Sequence, residues 1–219
     1  FVPFINPRKL GNMKRIYFVI ILAAMLFSCE KPVSEFQSGN FIKFFGSGYE
    51  SKGNDVIQLS DGGYAFTGYD KVDGTTNQQL FIAKVDQNGN LVWSNTYGKA
   101  DYKEEGKIVK QVSDGFLIAG TSQVITGTGY THSFILKTSF DGDSLWYKEF
   151  GDADYSIEAN DIIVISSDIY VAGQSNKTDL TKTDYYTIKL TLSGEFVWDE
   201  IDNYVGVFSC LYKRVFAKG

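Results

Sequence analysis

A period of 52 to 53 residues governs this chain from about residue 41 onward. Gly68, Gly120 and Gly173 stand 52 and 53 residues apart, and Trp93, Trp146 and Trp198 stand 53 and 52 apart. Lys84, Lys137 and Lys189 keep the same step, as do Gly89, Gly142 and Gly194. Four columns in register mean one supersecondary module copied three times, so the fold must be one that stacks such modules.

Each module divides into four short β-type runs separated by turn residues. In the first they are 55–59, 64–68, 80–85 and 91–97; in the second, 107–112, 116–120, 134–138 and 145–150; in the third, 161–165, 169–173, 185–190 and 196–201. Tight turns such as SDGG at 60–63 and DQNGN at 86–90 suit hairpins. Aromatics at 16%, with 22 glycines against three prolines, favour sheets over helices. The expected fold is all-β: a β-propeller-type array of four-stranded antiparallel blades, with three full repeats at about 46–98, 99–151 and 152–202. The glycine column would let neighbouring sheets approach, and the tryptophan column would fill the wider outer gap between them.

Phe41 precedes Gly46 by five residues, as Trp93 precedes Gly98, so FIKFF at 41–45 reads as the last strand of an earlier or closing blade. Three repeats are fewer than the four to eight blades of a closed propeller. Beyond Trp198 the register dissolves, and 203–219 reads as an irregular tail left by truncation or a frameshift. The alternatives are a homo-oligomer that completes the ring and an open three-sheet stack.

Ahead of the repeats, Met13 opens a basic pair, Lys14 and Arg15, followed by an apolar run from Ile16 to Phe27 and then Ser28 and Cys29. This is the three-part layout of a secretory signal. The apolar run is shorter than the roughly 20 residues needed to span a bilayer as a helix. Leu26-Phe27-Ser28-Cys29 resembles the lipobox of bacterial lipoproteins, which implies lipid attachment at Cys29 and a location in the bacterial cell envelope, at the outer membrane or cell surface. Residues 1–12 then form an upstream extension outside the natural protein, 13–28 the signal peptide, and 29–40 a polar lipidated tether. Loss of the leader, with Arg8, Lys9, Lys14 and Arg15, takes the net charge from −5 to −9. So acidic a surface repels nucleic-acid phosphates, and nucleic acid is not an expected partner.

The DGGYAFTG at 61–68, FIAKVDQNGNLVW at 81–93 and TYG at 96–98 resemble the units of bacterial propeller-repeat lipoproteins and secreted proteins. That resemblance covers residues 41 to about 202 and implies a propeller on the cell surface or in the periplasm. Asp86, Gly89 and Trp93 also resemble, more weakly, the tryptophan-docked blades of quinoprotein dehydrogenases.

Motifs for chemistry are few. No nucleophile elbow, P-loop, HExxH or paired-cysteine pattern occurs, and no cofactor or metal is expected. His132, the single histidine, reads as an exposed residue of a variable loop. DQNGN at 86–90 reads as a hairpin turn rather than a calcium loop, since the distal bidentate Glu is missing. The recurring lysines read as protection of exposed strand faces. Loops after the second and fourth runs should share one end of the array. The tyrosines Tyr49, Tyr102 and Tyr155, with Asp101 and Asp154, lie there; they could stack on sugar rings, or simply pack against the next blade. The expected function is a non-catalytic binding or scaffold propeller anchored to a membrane, with a glycan or envelope protein as ligand. The alternative is a fragment of a propeller-type enzyme, either a quinone-linked dehydrogenase or a polysaccharide-acting hydrolase or lyase.

Overall fold

The computed structural model describes residues 43–46, 50–71, 74–126 and 129–202, all within one compact unit that begins at Lys43. The signal peptide, Cys29, the tether, Tyr49 and the tail from 203 lie outside the described residues. Among those described, twelve strands and no helix form, and no sheet closes into a barrel.

Repeat 1 is an antiparallel meander of β1 (Ser51–Gln58), β2 (Tyr64–Lys71), β3 (Gln78–Val85) and β4 (Leu91–Tyr97). Repeat 2 follows with β5 (Tyr102–Val112), β6 (Gly115–Val124), β7 (Thr131–Thr138) and β8 (Ser144–Phe150). Repeat 3 contains β9 (Ile157–Ile165), β10 (Asp168–Ser175), β11 (Asp184–Thr191) and β12 (Phe196–Asp202). One parallel pair, Gln78 with Lys103, joins the first two meanders into a single hydrogen-bonded sheet. The second and third strands run one to four residues further toward their connecting loops than their apolar runs, which shortens those loops.

Two apolar clusters hold the repeats together. In one, Ala65, Leu80 and Ile82 of repeat 1 meet Phe116, Ile118, Phe134 and Leu136 of repeat 2. In the other, Leu117, Ala119 and Ile135 of repeat 2 meet Ile162, Val171, Ile188 and Leu190 of repeat 3. Because successive strand residues point to opposite faces, β6 serves both clusters, and every residue from Gly115 to Ser122 is buried.

The glycine column has a different cause from the expected one. A Cβ at Gly68, Gly120 or Gly173 would lie 1.7, 2.0 or 2.1 Å from the carbonyl oxygen of Lys52, Glu105 or Glu158. Those carbonyls belong to the neighbouring strand of the same sheet, beside a register shift that interrupts each first strand. Close approach between repeats occurs instead at Gly106, where a Cβ would meet Thr67 and Leu80 of repeat 1.

The tryptophans do bridge repeats. Trp93 packs on the turn glycine of repeat 2, Gly142, and its Nε1 donates to Phe140 O at 3.0 Å; Asn95 Nδ2 donates to Gly142 O at 2.9 Å. The Trp146 ring packs likewise on Gly194, but its buried Nε1 has no hydrogen-bond partner among the described residues. These turn glycines have φ of +86° and +85°, a conformation that penalises any Cβ. Trp198 has no following repeat among the described residues and is 38% exposed, resting edge-on against Tyr170.

The lysine column does not guard exposed faces. Lys84, Lys137 and Lys189 reach the aspartate of their own first hairpin, Asp61, Asp114 and Asp168, at 2.8, 2.8 and 2.7 Å. Lys137 is only 5% exposed. Asp168 thus fills the aspartate position in the repeat whose turn lacks glycine. Asp86 Oδ1 accepts the N–H groups of Asn88 and Asn90 at 2.8 and 2.7 Å, so the DQNGN carboxylate is committed to its own turn.

Candidate functional site

The loops after second and fourth strands do meet at one end of each repeat. Lys71 N donates to Glu50 O at 2.9 Å, Ile125 N to Asp101 O at 2.9 Å, and Ser156 N to Asn176 Oδ1 at 2.7 Å. Asp101 adopts φ +63°, which turns its carbonyl onto the Ile125 amide. Its side chain and that of Asp154 are exposed. Tyr102 and Tyr155 are half-buried, each beneath an ammonium: Lys99 Nζ lies 4.8 Å from the Tyr102 ring centre and Lys177 Nζ 5.1 Å from that of Tyr155. Tyr155 also packs on the apolar cluster between repeats 2 and 3. The two tyrosines therefore sit in successive gaps between repeats and do not converge on one ligand position.

Convergence occurs around Tyr102, through residues outside the repeat columns. Glu104 on β5 is 2% exposed. Its Oε2 accepts the Lys99 backbone N–H at 2.7 Å, and its Oε1 accepts the Tyr147 hydroxyl at 3.2 Å. Lys99 Nζ pairs with Glu149 Oε2 and lies 5.2 Å from the Tyr147 ring centre. Glu149 Oε1 is 3.1 Å from His132 Nδ1, whose Nε2 is 2.9 Å from Asp152 O. A cavity of about 200 Å³ opens beside the cluster, between Leu80 and Tyr97 of repeat 1 and Leu136 and Tyr147 of repeat 2.

His132 accordingly lies on β7, part-buried and bonded through both ring nitrogens, rather than in an exposed loop. Two glycines make room for the cluster. A Cβ at Gly98 would come within 2.8 Å of Glu104 Oε2, and one at Gly151 within 2.5 Å of the imidazole.

The two carboxyl groups titrate in opposite directions. Burial raises Glu104 above its ordinary value, and Lys99 and Tyr147 only partly offset this. Burial also acts to raise Glu149, but its bonds to Lys99 and His132 outweigh that, and the group ends below the ordinary carboxylate range. Burial, together with the nearby glutamates, pushes the Tyr147 phenol far up, so it is a hydrogen-bond donor and not a phenolate.

The strand registers show that none of these groups is copied. Ser51 and Ile157 hold the Glu104 position, Gln79 and Asp184 that of His132, Ser94 and Asp199 that of Tyr147, and Thr96 and Ile201 that of Glu149. The signal that could have revealed them in sequence is departure from the repeat: charged or aromatic residues where the sister modules hold side chains of a different kind. Among the described residues no group of three or more His, Cys, Asp or Glu side chains is placed to hold a metal ion.

The fold and site define an all-β repeat protein with a polar cleft between its first two repeats. Compared with known proteins, the sequence matches no family model and no curated protein.

Proposed function

We propose that this chain is a bacterial envelope lipoprotein, anchored by lipid at Cys29, whose repeats form a β-propeller-type binding or scaffold module. Its ligand, a glycan or another envelope protein, is taken up at the loop end of the cleft between repeats 1 and 2. One observation carries this reading: on a scaffold where turns, ion pairs and core are copied, the ionisable cluster around Glu104 is made once. A fold that fills the same place with Ile157 does not need a buried carboxyl there, and departures of this kind mark functional positions. The lipobox and preceding apolar run support the anchor; FIKFF at 41–45 supports a propeller-type arrangement. In that segment Lys43 Nζ donates to Asn90 Oδ1 at 2.7 Å on the turn of repeat 1, much as Asn95 bonds the turn of repeat 2.

A glycan and envelope-protein binding screen of the full mature protein tests the module. A ligand whose affinity falls at least about tenfold in Glu149→Gln supports the proposal; ligands indifferent to that substitution place binding elsewhere and overturn it. Labelled fatty acid incorporated into the wild type but not into Cys29→Ser tests the anchor.

A second reading draws on the opposed carboxyl groups. A buried Glu104 whose carboxyl is shifted above its ordinary value, near a Glu149 shifted below, is the opposed pairing an acid–base enzyme uses, so a polysaccharide-acting hydrolase or lyase is the competing proposal. Turnover of a polysaccharide that disappears in Glu104→Gln would replace the binding reading with this one.

A further inference from the structure

The cleft already holds a cation of its own. Lys99 Nζ sits against the faces of Tyr102 and Tyr147 at 4.8 and 5.2 Å and pairs with Glu149. Two electron-rich rings and a carboxylate around one ammonium is the arrangement by which proteins recognise organic cations. The ammonium comes from a side chain that is 42% exposed, carried on a flexible four-carbon stem just beyond β4. The backbone of Lys99 is held separately, by its amide on Glu104, so the side chain can leave without moving the chain. Beside it lies the cavity of about 200 Å³, floored by Leu80 and Leu136, with room for the body of a small ligand. Glu104 and Glu149 supply the carboxyl groups around it, and the Tyr147 ring packs against the apolar cluster between repeats 1 and 2.

We infer that this cage is a binding site for ligands bearing a primary ammonium, such as an amino sugar or an amine-bearing peptide, and that Lys99 is the internal occupant such a ligand displaces. This rests on the reading of the cleft as a binding site and narrows it to one chemistry. An internal competitor lowers the apparent affinity by the fraction of molecules whose cage is free. Removing the ammonium should therefore strengthen binding, the opposite of what loss of a direct ligand contact would do.

The test compares wild type with Lys99→Ala and Lys99→Met in the full mature protein, titrated with methylammonium, glucosamine, lysine amide and N-acetylglucosamine. Binding is read by chemical shifts of ring-labelled tyrosine. The first three probes should perturb Tyr102 and Tyr147 in either variant at concentrations about tenfold or more below those needed for wild type. N-acetylglucosamine, which has no ammonium, should not. Adding Glu149→Gln to the variant should abolish the response. A preference for glucosamine over lysine amide assigns the source as amino sugar, and the reverse assigns it as peptide amine. The inference is overturned if folded Lys99 variants ignore all three amines, or if their response survives Glu149→Gln. Should both variants unfold, wild type titrated with methylammonium decides: perturbation of Tyr102 and Tyr147 that is lost in Glu149→Gln upholds the site, and none refutes it. A natural ligand that binds this cleft indifferently to methylammonium would refute the cage and spare the broader proposal. Amine binding without any natural ligand would do the converse.

Discussion

Glu104 shows how one side chain can set a pH dependence. Its pKa is raised in the folded state, so between the ordinary carboxylate value of 4.5 and that raised value the folded protein binds more protons than the unfolded. Stability from this group is then greatest at low pH and falls as pH rises through the window. Glu149 acts oppositely: its contribution is present above 4.5 and is lost as pH falls through its lowered pKa. Urea unfolding of Glu104→Gln at a series of pH values should therefore show the decline above pH 4.5 flattened, with the loss at lower pH retained. At the glycines, space decides the outcome. Gly120→Ala forces a Cβ to within 2.0 Å of Glu105 O and should cost on the order of 1–3 kcal/mol or more. Gly53→Ala, with open space around its Cβ, should stay within about 0.5 kcal/mol in the same assay.

Single elements gain their stability by docking on the next repeat. β4 delivers Trp93 onto the β7–β8 turn, so Trp93→Phe keeps an aromatic side chain but loses part of the contact with Gly142 and the bond to Phe140 O, the bond alone being worth about 0.5–1.5 kcal/mol by thermal or urea unfolding. Trp198 on β12 makes no such bond among the described residues, and Trp198→Phe should be nearly neutral. The residues that form these elements were readable in advance, because alternation within β2 or β11 and the turn chemistry of SDGG at 60–63 or DQNGN at 86–90 are local. The partners of Lys84 and Lys137 were not readable. A lysine at fixed spacing looks like an exposed-face residue until the hairpin folds Asp61 or Asp114 back against it. The pairing of His132 was hidden for a related reason: β7 runs past its apolar stretch, held by the Ser122 and Gln123 backbone, and polar residues near a strand end carry no local sign of pairing.

Among the described residues, the middle repeat carries the load, since it contributes to both apolar clusters and packs a neighbouring repeat on each face. Leu117→Ala should cost about 2–5 kcal/mol and lower the transition of all three repeats together. Amide hydrogens of β6 should exchange slowest, and those of the outlying β1 and β12 faster, as measured by hydrogen–deuterium exchange. The order of repeats also explains where a site can form. Each gap between meanders presents side chains from two repeats to one another, and the first gap alone collects Lys99, Glu104, His132, Tyr147 and Glu149. Their sequence separations, up to 50 residues between Lys99 and Glu149, hide them from motif searches.

By itself the sequence determined the all-β character, the module length, the turns and the four strands of each module, because backbone pairing within a meander depends on alternation and turn residues a few positions apart. Tertiary structure alone decided which carbonyls forbid a Cβ at Gly68, Gly120 and Gly173, and which aspartate each lysine meets. It also decided that Tyr102 rather than Asp101 belongs to a polar cleft. These depend on what a neighbouring strand or repeat places opposite a residue, and the free energy of burying Glu104 or pairing Lys99 exists only after those surfaces meet.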